Sequence, residues 1–456
     1  MRARLDSAVL RLAGVLLLGM LAPLLDSTIV NVAIDTLGRD LGAPVSDVQW
    51  VSTAYLLALA MAIPITGWSA DCFGAKRMWL VSLLLFLAGS ALCGLAWDLG
   101  SLVAFRAVQG AAAGLMLPIL QTLLMRAAGG RQLGRLMAVV SLPALAGPIF
   151  GPVIGGLVAG HLSWRWIFYI NVPICLIAVL VAWWRLPADA SRERRPLDVT
   201  GLLLLSPGLA ALMYGLAQVG TVGGFRDVSV LGPMAAGALL VATFACRRTS
   251  EPLVDLRLFR DRTFTASSAL LFLSGLAMFG SMLLLPLFYQ QERGQSVIAA
   301  GLLLAPQGVG SLLSKGLGGV ADRVGPRPVV LAGIAMTVLG TLPFAFADQY
   351  TSGLLLGLAL VVRGAGLSAA NMAIMVGAFR GLDGARIPHA SSVTRIAQQL
   401  GGAFGAAVLA VVLQRQLADH PAVAFGHTFG WALALTALAV IPAALLPRAE
   451  QPVISV

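Results

Sequence analysis

The sequence predicts an all-α polytopic membrane protein with fourteen transmembrane helices. Three observations carry that reading. Of 456 residues, 58% are apolar and only 11% are charged, against roughly 25% charged in an ordinary soluble domain. The apolar residues gather into runs of about 20, the length that crosses a bilayer as a helix. The basic residues fall in alternate gaps between those runs. A soluble chain of this length would need about three domains and far more surface charge, and disorder would need low hydrophobicity.

The runs, in order, are roughly 12–33, 48–68, 78–97, 101–125, 136–159, 167–186, 199–219, 228–246, 264–289, 297–317, 328–347, 352–378, 390–413 and 426–447. They are long and lack period-two alternation, so helices fit and barrel strands do not. Arg2, Arg4 and Arg11 precede the first run, which continues past Asp26 without a small-residue cleavage site. It reads as a retained first span rather than a signal peptide. Residues 187–198 are polar and read as a cytoplasmic linker. Residues 247–263 mix charges with Leu256, Leu258 and Phe259, and suit either a short amphipathic segment on the inner membrane surface or a solvated basic loop.

The charge count supplies the topology. With the N-terminus inside, the inner segments hold 23 of the 31 basic residues, the outer loops hold Arg39, Arg165, Arg226, Arg293 and Arg415, and three Arg remain within spans. That bias places a multi-pass protein in the cytoplasmic membrane with both termini in the cytoplasm. Most Trp lie near predicted span ends, as an aromatic belt requires. The net charge of +11 therefore follows topology and does not call for nucleic acid. The four Cys and four His have no metal-ligand spacing. Arg outnumbers Lys heavily, with only Lys76 and Lys315 present, and with abundant Ala and Gly this fits a high-GC bacterial source.

An internal repeat sets the architecture. Gly67-Trp68-Ser69-Ala70-Asp71-Cys72-Phe73-Gly74-Ala75-Lys76-Arg77 follows the second run, and Gly318-Gly319-Val320-Ala321-Asp322-Arg323-Val324-Gly325-Pro326-Arg327 follows the tenth. Apolar-Arg-Gly patterns around Arg106 and Arg363 lie in the fourth and twelfth. The two pairs have nearly one offset and the same order, which argues for duplication. Residues 1–186 and 264–456 become equivalent six-helix bundles. Residues 187–263 become a linker holding two inserted helices and the amphipathic segment.

These motifs resemble the major facilitator superfamily, and more narrowly its fourteen-span drug:proton antiporters. The match in the first span is Leu25-Asp26-Ser27-Thr28-Ile29-Val30-Asn31-Val32-Ala33. Gly67 to Arg77 is close to the family's G-x-L-A-D-R-x-G-R-K, with Ser69 for Leu and Cys72 for the first Arg. Arg106-Ala107-Val108-Gln109-Gly110 lies in the fourth span. Gly147 to Gly156 in the fifth contains Gly151-Pro152 and Gly155-Gly156, the antiporter motif. Trp164 to Pro173 precedes the sixth. The resemblance implies the major facilitator fold, two six-helix bundles around a central cavity with two helices inserted between them.

Asp26 is the only acidic residue deep within a span, and an intramembrane carboxylate marks function by default. Burial disfavours its charged form, so it suits proton uptake and release in competition with a substrate. Arg106 is a permanent charge; it suits holding Asp26 ionised, binding an anionic group, or orienting water. Arg363 reads as its repeat partner, and Arg395 as a side chain snorkelling near the inner end of its span. Asp71 with Lys76 and Arg77 sits on a tight inner turn with Gly67 and Gly74. There the carboxylate suits capping a helix and the basic residues suit bridging to the other half. Asp322 and Arg323 are the counterpart, and the resemblance makes these loops a cytoplasmic gate. Gly147, Gly151, Gly155 and Gly156 form a face for close helix packing, bent by Pro148 and Pro152. Asn31, Tyr55, Gln109, Gln121, Gln307 and Asn371 are the polar candidates for the cavity.

The reading is a proton-coupled antiporter exporting small amphipathic, often cationic, compounds such as drugs, antibiotics or toxic metabolites. It needs no cofactor beyond the proton gradient, and its partners are substrate, protons and the bilayer around a monomer. A dedicated exporter of one metabolite or antibiotic is the near alternative, and a proton-symporting importer the more distant one. No Walker, HExxH, dinucleotide or catalytic-triad motif points to an enzyme.

Overall fold

The structure, a computed structural model, describes residues 7–32, 34–128, 162–187, 196–222, 224–247, 252–314, 324–384 and 386–447, with 249 and 320 singly. Among the described residues it is all-helical, and 12 helices are long and apolar enough to cross a membrane. They coincide with twelve of the fourteen predicted runs. The run 136–159, with Gly147, Gly151, Pro152, Gly155 and Gly156, lies outside the described residues. The run 297–317 forms two shorter helices.

The first half comprises α1 (Ser7–Val32), α2 (Trp50–Ala62), α3 (Thr66–Phe73), α4 (Ala75–Gly94), α5 (Leu99–Ala128) and α6 (Asn171–Arg185). Between α2 and α3 a 3-10 turn at Ile63–Ile65 holds Pro64, which has no N–H to give the ladder. The inserted pair is α7 (Val199–Val222) and α8 (Val228–Cys246). The second half comprises α9 (Arg262–Leu287), α10 (Val297–Leu303), α11 (Ala305–Leu313), α12 (Pro326–Ala345), α13 (Gly353–Phe379), α14 (Ile387–Asp419) and α15 (Ala424–Ala437). The helix ladders satisfy the backbone internally, as lipid demands.

Equivalent positions in the two halves keep equivalent geometry. Gly74 and Gly325 turn the chain before α4 and α12 with φ of +91° and +83°, a region that favours glycine. Asp98 and Ser101 at the start of α5 are matched by Asp348 and Thr351 just before α13. Ser101 donates its N–H to Asp98 Oδ1 at 2.7 Å and Thr351 its hydroxyl to Asp348 Oδ1 at 2.7 Å. These hydrogen bonds hold both exposed carboxyls below their ordinary range. A Cβ on Gly89 would strike Gln109, one on Gly340 would strike Arg363, and those on Gly110 and Gly364 would strike the carbonyls of Tyr55 and Gln307. These pairs correct the register read from sequence. Arg363 occupies the place of Gln109, and Leu360 that of Arg106. The apolar-Arg-Gly pattern shifted by one helical turn, which a helix accommodates without changing face.

One apolar cluster joins the halves at the Asp71 end. It runs from Leu12 and Leu16 on α1 through Leu120 and Leu124 on α5 to Val376 and Phe379 on α13 and Ile387 on α14. At the opposite end the clusters are separate: Leu25, Ile29, Trp164 and Phe168 in one half, and Phe288, Phe344 and Phe429 in the other. Among the described residues, the two halves therefore share an apolar cluster at the Asp71 end and not at the opposite end. Helix α14 makes the crossing, packing on α9 within its half and on α3, α5 and α7 beyond it.

The inserted pair bridges the halves. Ser206 donates to the Met61 carbonyl at 2.7 Å and Tyr214 stacks on Trp50, while Leu216, Val219 and Val230 pack on Ala407 and Val411 of α14. Asp198 clasps the pair at its base. It accepts from Gly201 N–H at the start of α7 (2.8 Å) and from both terminal nitrogens of Arg247, just past α8 (3.1 Å each). The amphipathic segment folds differently from its surface reading. Leu253, Val254 and Leu258 are buried in the shared cluster, around a short 3-10 helix at Leu256–Arg260. The Asp198 clasp also receives Leu253 N–H at 3.4 Å. The tryptophan belt holds for Trp97, Trp183 and Trp184, whereas Trp79 and Trp164 are core residues. Trp79 fills the notch left by Gly19.

Candidate functional site

Four helices bring polar side chains to one buried carboxylate. Asp26 lies six residues from the end of α1, about 9 Å at 1.5 Å per residue, and is fully buried. Arg106 on α5 donates Nη1 to Asp26 Oδ2 at 2.5 Å and to Gln109 Oε1 at 2.7 Å. Gln109, three residues on and so on the same helix face, donates Nε2 to Asp26 Oδ1 at 3.1 Å. Asn171, the first residue of α6, donates Nδ2 to that oxygen at 3.1 Å and to Ser90 Oγ of α4 at 3.0 Å. Ser90 passes its proton to the Phe168 carbonyl.

The arginine is held as firmly. Its Nε donates to the Val51 carbonyl of α2 at 3.1 Å, and its guanidinium stacks 4.2 Å from the Tyr55 ring centroid. A buried ion pair is tolerated only when its remaining donors and lone pairs find partners, and here both carboxylate oxygens and the guanidinium Nε and Nη1 have them. All three side chains bonded to Asp26 are donors, so a proton arriving on the carboxyl must displace one of them. Asn171 Oδ1 is buried and has no hydrogen-bond partner, which leaves an acceptor one amide rotation away.

A second cluster surrounds Arg363 on α13. Its Nε donates to Thr341 Oγ1 at 3.1 Å, Nη1 to Gln307 Oε1 at 2.7 Å and Nη2 to the Ala277 carbonyl at 3.4 Å. Where Arg106 meets a carboxylate of α1, Arg363 meets a backbone oxygen of α9.

A third lies on α14. Arg395 is eight residues into that helix and half-buried. It donates to Gln398 Oε1 at 3.2 Å, and Gln398 Nε2 reaches Asn371 Oδ1 on α13 at 3.5 Å. It is within electrostatic reach of Tyr55 in the other half.

At the gate, Asp71 accepts from Arg126 Nη2 at 2.8 Å, and its other oxygen is 4.0 Å from Nε2 of His389 at the start of α14. Gly67 lets that helix start approach: a Cβ there would be 3.3 Å from His389 Nδ1. Lys76 donates to the Leu186 carbonyl at 2.6 Å, within its own half, and Asp71 with His389 supplies a bridge to the other half. Asp322 and Arg323 lie outside the described residues, as does the Asn31 side chain.

Of the sequence-predicted cavity residues, Tyr55 and Gln109 join the Asp26 cluster, Gln307 joins Arg363 and Asn371 joins Arg395. Gln121 is buried elsewhere on α5. Sequence reasoning missed Asn171, Ser90, Arg126 and His389 as partners. Asn171 was visible as a polar residue opening an apolar run five residues after Trp166; the others carried no signal.

Comparison with known proteins gives the family and the fold. Residues 16–406 match the model of the Major Facilitator Superfamily. The chain is 39% identical over 419 residues to the "Multidrug resistance protein B homolog" of Mycobacterium tuberculosis, covering 91% of this chain and 78% of that one. It is 34% identical over 420 residues to the "Multidrug export protein EmrB" of Haemophilus influenzae, covering 91% and 82%. The solved structure of a superfamily proton:xylose symporter superposes with a TM-score of 0.67 at 14% identity, over 97% of each chain, which is a likeness of fold.

Proposed function

The chain belongs to the major facilitator superfamily, and from that premise we propose that it is a proton-coupled multidrug efflux transporter. Its relatives' names carry the efflux reading, and a transporter rather than an enzyme fits them. The observation that carries the coupling is the buried Asp26–Arg106–Gln109–Asn171 network. With Asp26 ionised, the network ties α1, α5 and α6 together. A proton on the carboxyl removes the charge that holds Arg106 and breaks at least one donor bond. Proton binding thereby changes the packing of the half that must rock.

Packing at the Asp71 end supports an outward-facing state, with Asp71 and α14 as the inner latch. Alternating access then consists of opening that end and closing the other. Fourteen spans are assigned, the runs 136–159 and 297–317 completing the twelve. The even count and the basic bias put both termini in the cytoplasm. The halves are 1–186 and 264–456, and one monomer holds one pathway.

The test is transport into inside-out vesicles under an imposed proton gradient, with a dye panel and with wild type beside Asp26→Asn. Gradient-driven accumulation in wild type and its loss in the variant are expected. Undiminished coupled accumulation in Asp26→Asn removes Asp26 from the mechanism. No accumulation of any dye removes the broad-substrate reading.

A further inference from the structure

We propose that Arg395, with Gln398 and Asn371, is a substrate subsite that takes the carboxylate of amphipathic organic acids. The inference rests on the efflux reading and names the substrate class for it.

The described spans hold one acidic residue and three arginines in their interiors: Asp26, Arg106, Arg363 and Arg395. Asp26 and Arg106 neutralise one another. Arg363 is sealed, with all three guanidinium nitrogens bonded to neutral oxygens. Arg395 is different. It is half-buried, its one hydrogen bond among the described residues goes to Gln398 on its own helix, and no carboxylate pairs with it there. A guanidinium has five donors in a planar fork that matches a carboxylate. Among the described residues most of that fork is unfilled, within a candidate membrane span and on the helix by which the second half crosses to the first.

The neighbours orient the fork rather than satisfy it. Gln398 spends its oxygen on Arg395 and its amide on Asn371. Asn371 is anchored in turn by Nδ2 to the Leu367 carbonyl at 3.1 Å. The chain of contacts fixes where Arg395 sits, within electrostatic reach of Tyr55 across the interface. Tyr55 in turn lies on Arg106, so an anion on Arg395 is within electrostatic reach of the ring that covers the Asp26 pair.

Charge decides between substrate classes. A cation entering between the halves finds no available carboxylate among the described residues. It must pull Asp26 from Arg106 and two amides, leaving a buried arginine unpaired, which is costly. An anion finds a guanidinium with most of its donors unused among the described residues and has no ion pair to break. The often-cationic substrate expected from sequence is therefore the disfavoured class.

The test uses three probes with one pyrene body: 1-pyrenebutyrate, its neutral methyl ester and the corresponding trimethylammonium cation. Binding to the purified full chain in nanodiscs is read by thermal stabilisation, against empty nanodiscs. The carboxylate is expected to bind at least tenfold tighter than the ester. Arg395→Gln should weaken the carboxylate roughly tenfold to a hundredfold, the worth of a charge-assisted hydrogen bond, and leave the ester unchanged. Arg395→Lys keeps the charge but not the fork, and should retain part of the preference, which separates recognition from misfolding. A carboxylate that binds no tighter than the ester, or an unchanged preference in Arg395→Gln, overturns the subsite. Tight binding of the cation alone overturns it while leaving efflux standing. Failure of all three probes to bind, or to be transported in the vesicle assay, overturns both.

Discussion

Replacing Asp26 by Leu and Arg106 by Met, singly and together, gives a double-mutant cycle on the central pair. Both residues are essentially inaccessible, at 0% and 1% exposure, and their atoms approach to 2.5 Å. Removing one partner of such a pair costs about 3–5 kcal/mol, because the other charge stays buried. The two single variants are not expected to be equal. In Asp26→Leu the guanidinium cannot lose its charge. It keeps the Val51 carbonyl, Gln109 Oε1 and the Tyr55 ring, none of which is ionic, so the full 3–5 kcal/mol range applies. In Arg106→Met the carboxyl keeps the Gln109 and Asn171 donors and can shed its charge by binding a proton. Its cost is that of one lost buried contact, about 1–3 kcal/mol. In the double variant no charge remains, and stability should return to within about 1 kcal/mol of wild type. The coupling energy is then about 3 kcal/mol or more, large for a contacting pair. Unfolding by SDS in mixed micelles, followed by circular dichroism, measures all four corners. Single variants that each fall within about 1 kcal/mol of wild type and sum to the double would refute the paired, buried arrangement.

The repeat register makes a steric prediction: Gly110→Ala and Gly364→Ala drive a methyl into the carbonyls of Tyr55 and Gln307, and each should cost about 1–3 kcal/mol or more. Gly100→Ala, whose nearest atom is 3.7 Å away, should stay within about 0.5 kcal/mol in the same titration. Asp71→Asn should change stability by no more than about 1 kcal/mol, since Arg126 is partly exposed, yet loosen the inner latch. A thiol introduced at the fully buried Ser391 of α14 should then react several-fold faster with a cytoplasmic reagent, and an unchanged rate counts against the latch.

Much of the fold was legible because a bilayer makes hydropathy and charge decisive. The predicted run 228–246 coincides with α8 (Val228–Cys246), and most ends move by only a few residues. Span ends moved where polar residues extended a helix beyond the lipid, as at Ile387 and Asp419 of α14. Asp26 and Arg106 were legible as isolated charges in apolar runs, and their pairing followed from there being one acid to meet. The partners of Asn171 and His389 were not, although Asn171 stood out as a polar residue opening an apolar run, because an amide or imidazole at a helix start looks the same whether it faces water or another helix. The amphipathic segment misled for a related reason. Leu253 and Leu258 are as apolar for a protein core as for a lipid surface.

On the proposed function, the register of the duplication gives the proton-handling network to one half and the substrate subsite to the other. Had Arg363 been the equivalent of Arg106, both halves would carry the same device and neither charge would be spare. Arg363 instead stands where Gln109 stands, and Leu360 fills the place of Arg106 without polarity. The second half thus has no acid to neutralise and no pair to break. Its glycine-lined α14 packs backbone to backbone on α9, with Gly401 against the Phe272 carbonyl and Gly405 against that of Leu276. That contact fixes the helix that holds Arg395. A rigid helix with an unpaired cation senses an anion, whereas a network with one proton-accepting carboxyl senses pH. Tyr55 touches the second device and lies within reach of the first. Rocking at α14 moves Arg395 relative to Tyr55, so binding at one device alters the surroundings of the other without any shared residue.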